Sequence, residues 1–146
     1  MIDQLSEQVK DAMRAGDTTR RDTLRMLVNA LQGAQKEARA PLDEQATIQV
    51  LKRERKRRAE AADAYRAGGA EDRAAAEEAE GAIIDEFLPA ELDDAALELI
   101  VRDAIASTGA TSPKEMGNVM REAMAATAGR ADGKRVQALV RAALGS

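Results

Sequence analysis

The 146-residue sequence contains no cysteine and no histidine, and its only aromatic residues are Tyr65 and Phe87. The missing side chains exclude thiol nucleophiles, His-based catalytic triads, imidazole general bases and zinc sites of the Cys/His kind. Disulfides are excluded as well, which fits a reducing compartment. We therefore expect no catalytic residue, no bound metal and no cofactor in this chain.

Long apolar stretches are also missing from the sequence. No run approaches the roughly 20 apolar residues that a membrane-spanning helix requires. The N-terminus lacks the basic and then apolar segments of a secretory signal peptide. These two absences predict a cytoplasmic protein with no membrane partner.

What the sequence does contain favours helices. Hydrophobic residues make up 45% and charged residues 33% of the chain. Because aromatics are so few, the core must come from Leu, Ile, Val, Met and many Ala, which suits closely packed helices. The length suffices for one domain of ordinary size or for two small ones. We therefore predict an all-α protein.

Four longer helices are predicted in the first part of the chain, from apolar residues that recur at helical spacing. Turn signals at Gly16-Asp17, Pro41 and Gly68-Gly69 separate them. The fourth helix should run to about Leu88, because Pro89 cannot continue it.

Three shorter helices are predicted in the remainder. Their starts are marked by Asp93, by a capping box from Ser112 to Glu115 with proline at its first helical position, and by Asp132. The pattern predicts a helical N-terminal domain of about four helices, residues 1–90. A compact three-helix C-terminal domain should follow, residues 91–146.

Charge is segregated along the chain, although the net charge is only −4. Residues 1–70 carry 14 basic and 11 acidic side chains, and residues 99–146 carry 7 basic and 4 acidic ones. The middle segment, residues 71–98, carries 1 basic and 11 acidic side chains. Strong non-specific binding of nucleic acid is therefore not expected from global charge, but local basic patches can still bind it.

The segment Gly129–Arg135 joins the last two predicted helices, and three of its seven residues are basic. Asp132 should cap the final helix, which places Lys134 and Arg135 in its first turn. Cations are disfavoured there by the helix dipole, whereas the exposed backbone N–H groups attract anions. The pattern therefore indicates an anion-binding turn that also includes Arg130. The alternative is an ordinary solvated connection.

The densest basic run, from residue 52 to residue 58, falls on the third predicted helix. At 100° per residue, four of its cations share a face away from the apolar side. These four are Lys52, Arg53, Lys56 and Arg57. Glu54 and Arg58 lie at the apolar side, spaced to pair with each other. The strip can follow phosphates without reading bases, since no aromatic side chain lies beside it, or it is simply a solvated helix face.

Clustered carboxylates occur at Glu77, Glu78 and Glu80 on the fourth predicted helix. Such a cluster can hold Mg²⁺ or perform acid–base chemistry. Here it has no accompanying histidine and no loop that gathers the side chains. We therefore expect a solvated helix face.

The motifs together identify the chain as similar to the GatB/YqeY family, small stand-alone proteins related to the C-terminal region of the amidotransferase B subunit. The resemblance extends over essentially the whole chain. It is carried by Leu24–Leu27, Leu51–Tyr65, Glu77–Glu80, Glu86–Leu92, Lys114–Met120, Gly129–Lys134 and Val136–Val140. It implies an all-α fold with a helical N-terminal domain and a small three-helix C-terminal domain.

The resemblance also implies a role. In the amidotransferase the matching C-terminal module contacts the tRNA body, so Gly129, Arg130, Gly133 and Lys134 become candidate RNA contacts. Gly117 would be a small residue that lets helices approach. Two residues of the fourth helix depart from the family pattern, Arg73 in place of an apolar residue and Gly81 in place of a branched one.

Three functions remain open at this point. The first is a non-catalytic tRNA-binding accessory module, with Arg130, Gly133, Lys134 and Arg135 as its main contact and the basic strip as a second one. The second is a subunit that assists glutamine-dependent amide transfer on mischarged tRNA, a carbon–nitrogen ligase activity. The third is an RNA-independent adaptor that uses Met116, Met120 and Met124 or the acidic segment. The partners expected are tRNA, amidotransferase or translation components.

Overall fold

The computed structural model describes residues 1–145, and within them the chain forms α-helices and no strand. A 3-10 turn, Pro113–Glu115, leads into the sixth helix. The helices are α1 (Ile2–Ala15), α2 (Thr18–Ala38), α3 (Glu44–Ala67), α4 (Glu71–Asp85), α5 (Asp94–Thr108), α6 (Met116–Thr127) and α7 (Gly133–Leu144). The prediction of an all-α protein is confirmed.

Side-chain caps begin α5 and α7 at Asp93 and Asp132, as the sequence predicted, and they begin α2 and α3 at Asp17 and Asp43. The carboxylates of Asp43 and Asp93 accept backbone N–H groups three residues further along the chain, and Asp17 does the same. At Ser112 both halves of the capping box form. The backbone N–H groups of Thr111 and Ser112 donate to Glu115 and hold the pKa of its carboxyl below the usual value. These caps satisfy N–H groups that the first helical turn leaves without a partner.

The end of α4 differs from the prediction. The helix stops at Asp85, not at Leu88. The N–H groups of Glu86, Phe87 and Leu88 each bond to a carbonyl three residues back, so the chain tightens into turns before Pro89. A proline disfavours helical geometry in the residue before it, which is why the α-helical pattern cannot reach Leu88.

The chain divides into two compact units, one of residues 1–88 and one that begins at Pro89. In the first unit, α1 packs on α2 and α3 packs on α4, around a core of leucines that includes Leu5, Leu24, Leu27 and Leu51. That residues 1–90 and 91–146 fold as separate domains stays a prediction. No helix in residues 1–145 combines the length and the apolar character needed to cross a membrane.

The second unit packs α5, α6 and α7 around one core. Leu97, Val119, Val136 and Val140 are completely buried there. The three methionines of α6, Met116, Met120 and Met124, are partly buried against this core. All three therefore contribute to the packing of the second unit.

Gly117 does not lie at a close approach between helices, and that expectation was wrong. The residue is exposed near the start of α6, and a Cβ atom built on it would meet no other atom within 4 Å. Glycine costs backbone entropy in a helix and gains nothing from missing its side chain at this position.

Gly117→Ala is therefore expected to raise the free energy of unfolding by about 0.5–1 kcal/mol. Chemical denaturation followed by circular dichroism measures the change. Gly109→Ala in the same unit is the matched control with the opposite sign, because Gly109 has a φ of 69°. A side chain there is strained, at a cost of roughly 1 kcal/mol. Destabilisation by Gly117→Ala would contradict the open surroundings of that residue.

Candidate nucleic-acid interface

The basic strip of α3 consists of Lys52, Arg53, Lys56 and Arg57, and the structure brings these four side chains to one face. Arg53, Lys56 and Arg57 are exposed and Lys52 is half-buried. The buried residues of the same helix, among them Leu51 and Ala62, lie on the other side. The helical spacing thus places the strip where the sequence predicted it.

The strip is only weakly neutralised by other side chains. Lys56 lies 3.8 Å from Glu60, and Arg57 donates to Glu54 at 3.0 Å, both within α3. Lys52 and Arg53 form no ion pair with any residue in the described part of the chain. The exposed Lys56–Glu60 pair is worth only about 0.3–0.5 kcal/mol, so a phosphate can replace it at little cost. Glu54, the partner of Arg57, is only 8% exposed and also lies 3.7 Å from Arg58.

The remaining arginines of α3 point to α4 and pair with its acids. Arg55 Nε lies 2.8 Å from Asp85 Oδ1, and Arg66 Nη2 lies 2.7 Å from Glu78 Oε1. Arg66 also contacts Glu71 at 3.2 Å. The acidic segment is therefore a set of counter-charges for α3. Of the three carboxylates expected on a solvated face, Glu78 is exposed as expected, although it pairs with Arg66. Glu77 and Glu80 are only 20% and 34% exposed, because α4 packs on α3, and the expectation was wrong for these two.

Arg58 occupies the centre of this contact and is surrounded by three carboxylates. Its guanidinium lies 3.1 Å from Glu80, 3.8 Å from Glu77 and 3.7 Å from Glu54. Arg58 is 18% and Glu54 only 8% exposed. Neither Arg58 Nε nor Glu77 Oε2 has a hydrogen-bond partner in residues 1–145, so charge more than hydrogen bonding holds the cluster. The predicted pairing of Glu54 with Arg58 is confirmed.

The cluster has an excess of negative charge, and this shifts the titration of one member. Burial raises the pKa of the Glu80 carboxyl, and the neighbouring Glu77 raises it further. The Arg58 guanidinium acts in the opposite direction without outweighing them. Glu54, Glu77 and Glu80 therefore contribute to the contact between α3 and α4 through Arg58.

Both departures of α4 from the family pattern have a visible role in packing. A Cβ atom on Gly81 would lie 2.6 Å from a guanidinium nitrogen of Arg55, so the missing side chain lets this arginine cross α4 on its way to Asp85. The guanidinium of Arg73 lies 5.8 Å from the centre of the Tyr65 ring, within cation–π range. The ring of Tyr65 on α3 is thereby in contact with a side chain of α4.

The turn between α6 and α7 contains two residues with left-handed backbone, and Asp132 caps α7 as the sequence predicted. The left-handed residue that ends α6 is Ala128, with a φ of 50°, and Gly129 follows with a φ of 80°. The carboxylate of Asp132 accepts the Lys134 N–H at 2.9 Å and caps α7. Gly133 begins that helix, and a Cβ there would make only an ordinary contact with Met124 at 3.8 Å.

Two cations of this turn hold the start of the second unit. Arg130 donates through Nε to the Ala90 carbonyl at 3.0 Å. Arg135 donates to the Leu92 carbonyl at 3.1 Å and to Asp94 at 2.9 Å, and it lies 3.7 Å from Glu91. Arg135, which was predicted to be part of the main RNA contact, is half-buried and lies between the carboxylates of Glu91 and Asp94. Lys134 is exposed.

A family model described as Yqey-like protein matches residues 2–144, nearly the whole chain. A search of curated proteins found no match.

Proposed function

We propose, from the premise that this chain belongs to the family of Yqey-like proteins, that it is a non-catalytic tRNA-binding accessory module. The resemblance to the GatB/YqeY family, which the sequence predicted, is confirmed by the family match. In this proposal the basic strip of α3 is the main contact with the RNA backbone. Lys134, with Arg130 beside it in sequence, is the second contact.

The observation that carries the proposal is the division of α3 into two charged faces. Arg55, Arg58 and Arg66 on one face are paired with the acids of α4. On the opposite face Lys52 and Arg53 form no ion pair within residues 1–145, and Lys56 lies 3.8 Å from Glu60. Arg57 pairs with Glu54 of its own helix at 3.0 Å. Since α4 already supplies counter-charges for one face, the exposed cations on the other are available for an external anion.

The geometry of the strip fits a phosphate backbone. Residues 52 to 57 extend over about 7.5 Å along the helix axis. This length corresponds to two or three phosphates of one strand. Phosphate contacts position a protein on nucleic acid and carry no sequence information, so we expect a binder that recognises charge and shape.

The turn before α7 supplies a smaller anion site. Arg135 is already neutralised by Asp94 and Glu91, which leaves Lys134 and the guanidinium of Arg130. Arg130 uses Nε to bind a carbonyl, and no carboxylate opposes its charge in residues 1–145. We therefore assign Arg130 and Lys134 to RNA contact and Arg135 to the structure of the unit.

The test is the salt dependence of tRNA binding by Arg53→Ala with Lys56→Ala. Each lost phosphate contact should reduce the slope of log K against log salt by about one, so the double variant should reduce it by about two. Fluorescence anisotropy with deacylated tRNA alone measures this without an amidotransferase partner. Both side chains are exposed on α3, so the fold should be unaffected.

Lys10→Ala with Arg14→Ala is the matched control, because it removes the same charge from two exposed residues of α1. Its slope should equal that of the unchanged protein. A second double variant, Arg130→Ala with Lys134→Ala, reports on the turn before α7. If the α1 and α3 variants have the same slope, the strip is not an RNA contact and the proposal fails at this site.

A further inference from the structure

The basic strip of α3 consists of two parallel rows of cations. Lys52 and Lys56 form one row, and Arg53 and Arg57 form the other, with four residues between the members of each row. Four residues correspond to about 6 Å along the helix axis. Because neighbouring positions diverge by about 100° around that axis, the charges of the two rows lie roughly 10 Å apart. The strip therefore offers two lines of positive charge side by side.

Both rows can reach an external anion. Lys52 and Arg53, the first members of the two rows, form no ion pair in residues 1–145. Arg57 donates to Glu54 at 3.0 Å. Since Glu54 also lies 3.7 Å from Arg58, it keeps a cation nearby when Arg57 turns outward. The row of arginines is thus available to an anion as well as the row of lysines.

Acidic side chains limit the strip toward the C-terminal end of α3. Glu60 and Asp63 are exposed, and they follow Lys56 by one and two turns on the same side of the helix. A strand of nucleic acid that continued along α3 in this direction would bring its phosphates against like charges. We therefore expect the bound strands to cross α3 at residues 52–57 and not to follow the helix.

The strip has no aromatic side chain beside it on which an unpaired base could stack. The two aromatic residues of the chain are Tyr65 and Phe87. The Tyr65 ring contacts Arg73 of α4, and Phe87 packs against the core of the first unit. Proteins that bind single strands combine a basic groove with aromatic rings that stack the bases. Without such rings, the ordering of a flexible single strand is not compensated.

We infer, on the basis of the proposed function, that the strip binds a base-paired RNA stem and contacts both of its strands. The row of lysines binds phosphates of one strand, and the row of arginines binds phosphates of the other. An RNA duplex brings its two lines of phosphates together across a deep and narrow major groove. A single strand has one line of phosphates and can engage only one row.

The test compares a short RNA duplex, one of its strands alone and a DNA duplex of the same sequence by fluorescence anisotropy at several salt concentrations. Four phosphate contacts on a duplex predict a slope of log K against log salt of about −3.6, and two on a single strand predict about −1.4. The RNA duplex should therefore bind at least about tenfold more tightly than the single strand at low salt. The DNA duplex should bind more weakly than the RNA duplex, because its major groove is about 12 Å wide.

Two row variants test whether both strands are contacted. Lys52→Ala with Lys56→Ala removes one row, and Arg53→Ala with Arg57→Ala removes the other. Each should reduce the slope for the RNA duplex by about two. The α1 double variant is again the matched control, and circular dichroism verifies that all variants are folded.

Three results would overturn the inference. They are a single strand that binds as tightly as the RNA duplex, a DNA duplex that does so, and a row variant that leaves the slope for the RNA duplex unchanged. Deacylated tRNA, measured in parallel, separates this inference from the proposed function. If tRNA binds through the strip and the single strand competes as well as the duplex, the stem is wrong and the tRNA-binding module stands. If the duplex binds through both rows and tRNA does not bind, the opposite holds.

Discussion

Arg58→Met is expected to lower the free energy of unfolding by about 3 kcal/mol. The substitution keeps much of the side-chain volume and removes the charge. Glu54, Glu77 and Glu80 then remain close together, partly out of water, without the cation that all three approach. Removing one partner of a buried ion pair is costly because the remaining charge stays desolvated. Urea denaturation at neutral pH measures the loss.

Arg57→Met is the matched control for this experiment. Arg57 neighbours Arg58 on α3 and also donates to Glu54, but its side chain is 61% exposed. Water screens such a contact, so the expected loss is below about 1 kcal/mol. If the two variants lose the same free energy, the Arg58 cluster is not what joins α3 to α4.

Leu97→Ala is expected to destabilise the second unit by about 2–5 kcal/mol. Leu97 is completely buried at the centre of the core of α5, α6 and α7. Truncation removes apolar contacts and leaves a cavity, since neighbouring side chains relax only partly. A unit of under 60 residues has little stability to lose, so its amide protection should largely disappear.

Hydrogen exchange followed by mass spectrometry resolves where this loss occurs. If the two units fold separately, Leu97→Ala should increase exchange in α5, α6 and α7 and leave α1 to α4 protected. Leu27→Ala, a completely buried leucine of the first unit, should give the reverse pattern. Equal loss of protection throughout the chain in both variants would mean one cooperative unit, contrary to the division predicted at residue 90.

Local chemistry allowed the helices and the exposed strip to be predicted from sequence. Caps such as Asp43 and Asp93 act within three residues, and their effect does not depend on the rest of the fold. The position of Arg53 and Lys56 away from the apolar side follows from helical periodicity alone. The end of α4 was predicted three residues too late, because the turns before Pro89 continue the apolar spacing of the helix.

The partners of the inner cations could not be predicted in the same way. Periodicity shows that Arg58 lies near the apolar side of α3, but not that α4 brings Glu77 and Glu80 to it. Those carboxylates are about 20 residues away in sequence, and only packing decides which helix faces which. Glu77, Glu78 and Glu80 were therefore interpreted together as a solvated face, although Glu77 and Glu80 are partly buried beside Arg58.

In the turn before α7, too, the sequence did not show which residues would contact a predicted cation. The cations at the positive end of α7 were the basis for predicting an anion site. For Arg135 that anion belongs to the chain itself, since Asp94 and Glu91 come from about 40 residues earlier. Lys134 has no comparable contact in residues 1–145, and the external-anion interpretation now applies to it and to Arg130.

The pairing of sequence neighbours has a consequence for how quickly the protein folds. α1 packs on α2, α3 on α4, and α5 on α6, which in turn packs on α7. Such contacts close short loops, and helical proteins dominated by them fold in roughly microseconds to milliseconds. Each pair can form as soon as its second helix has left the ribosome, because few contacts must wait for a distant segment.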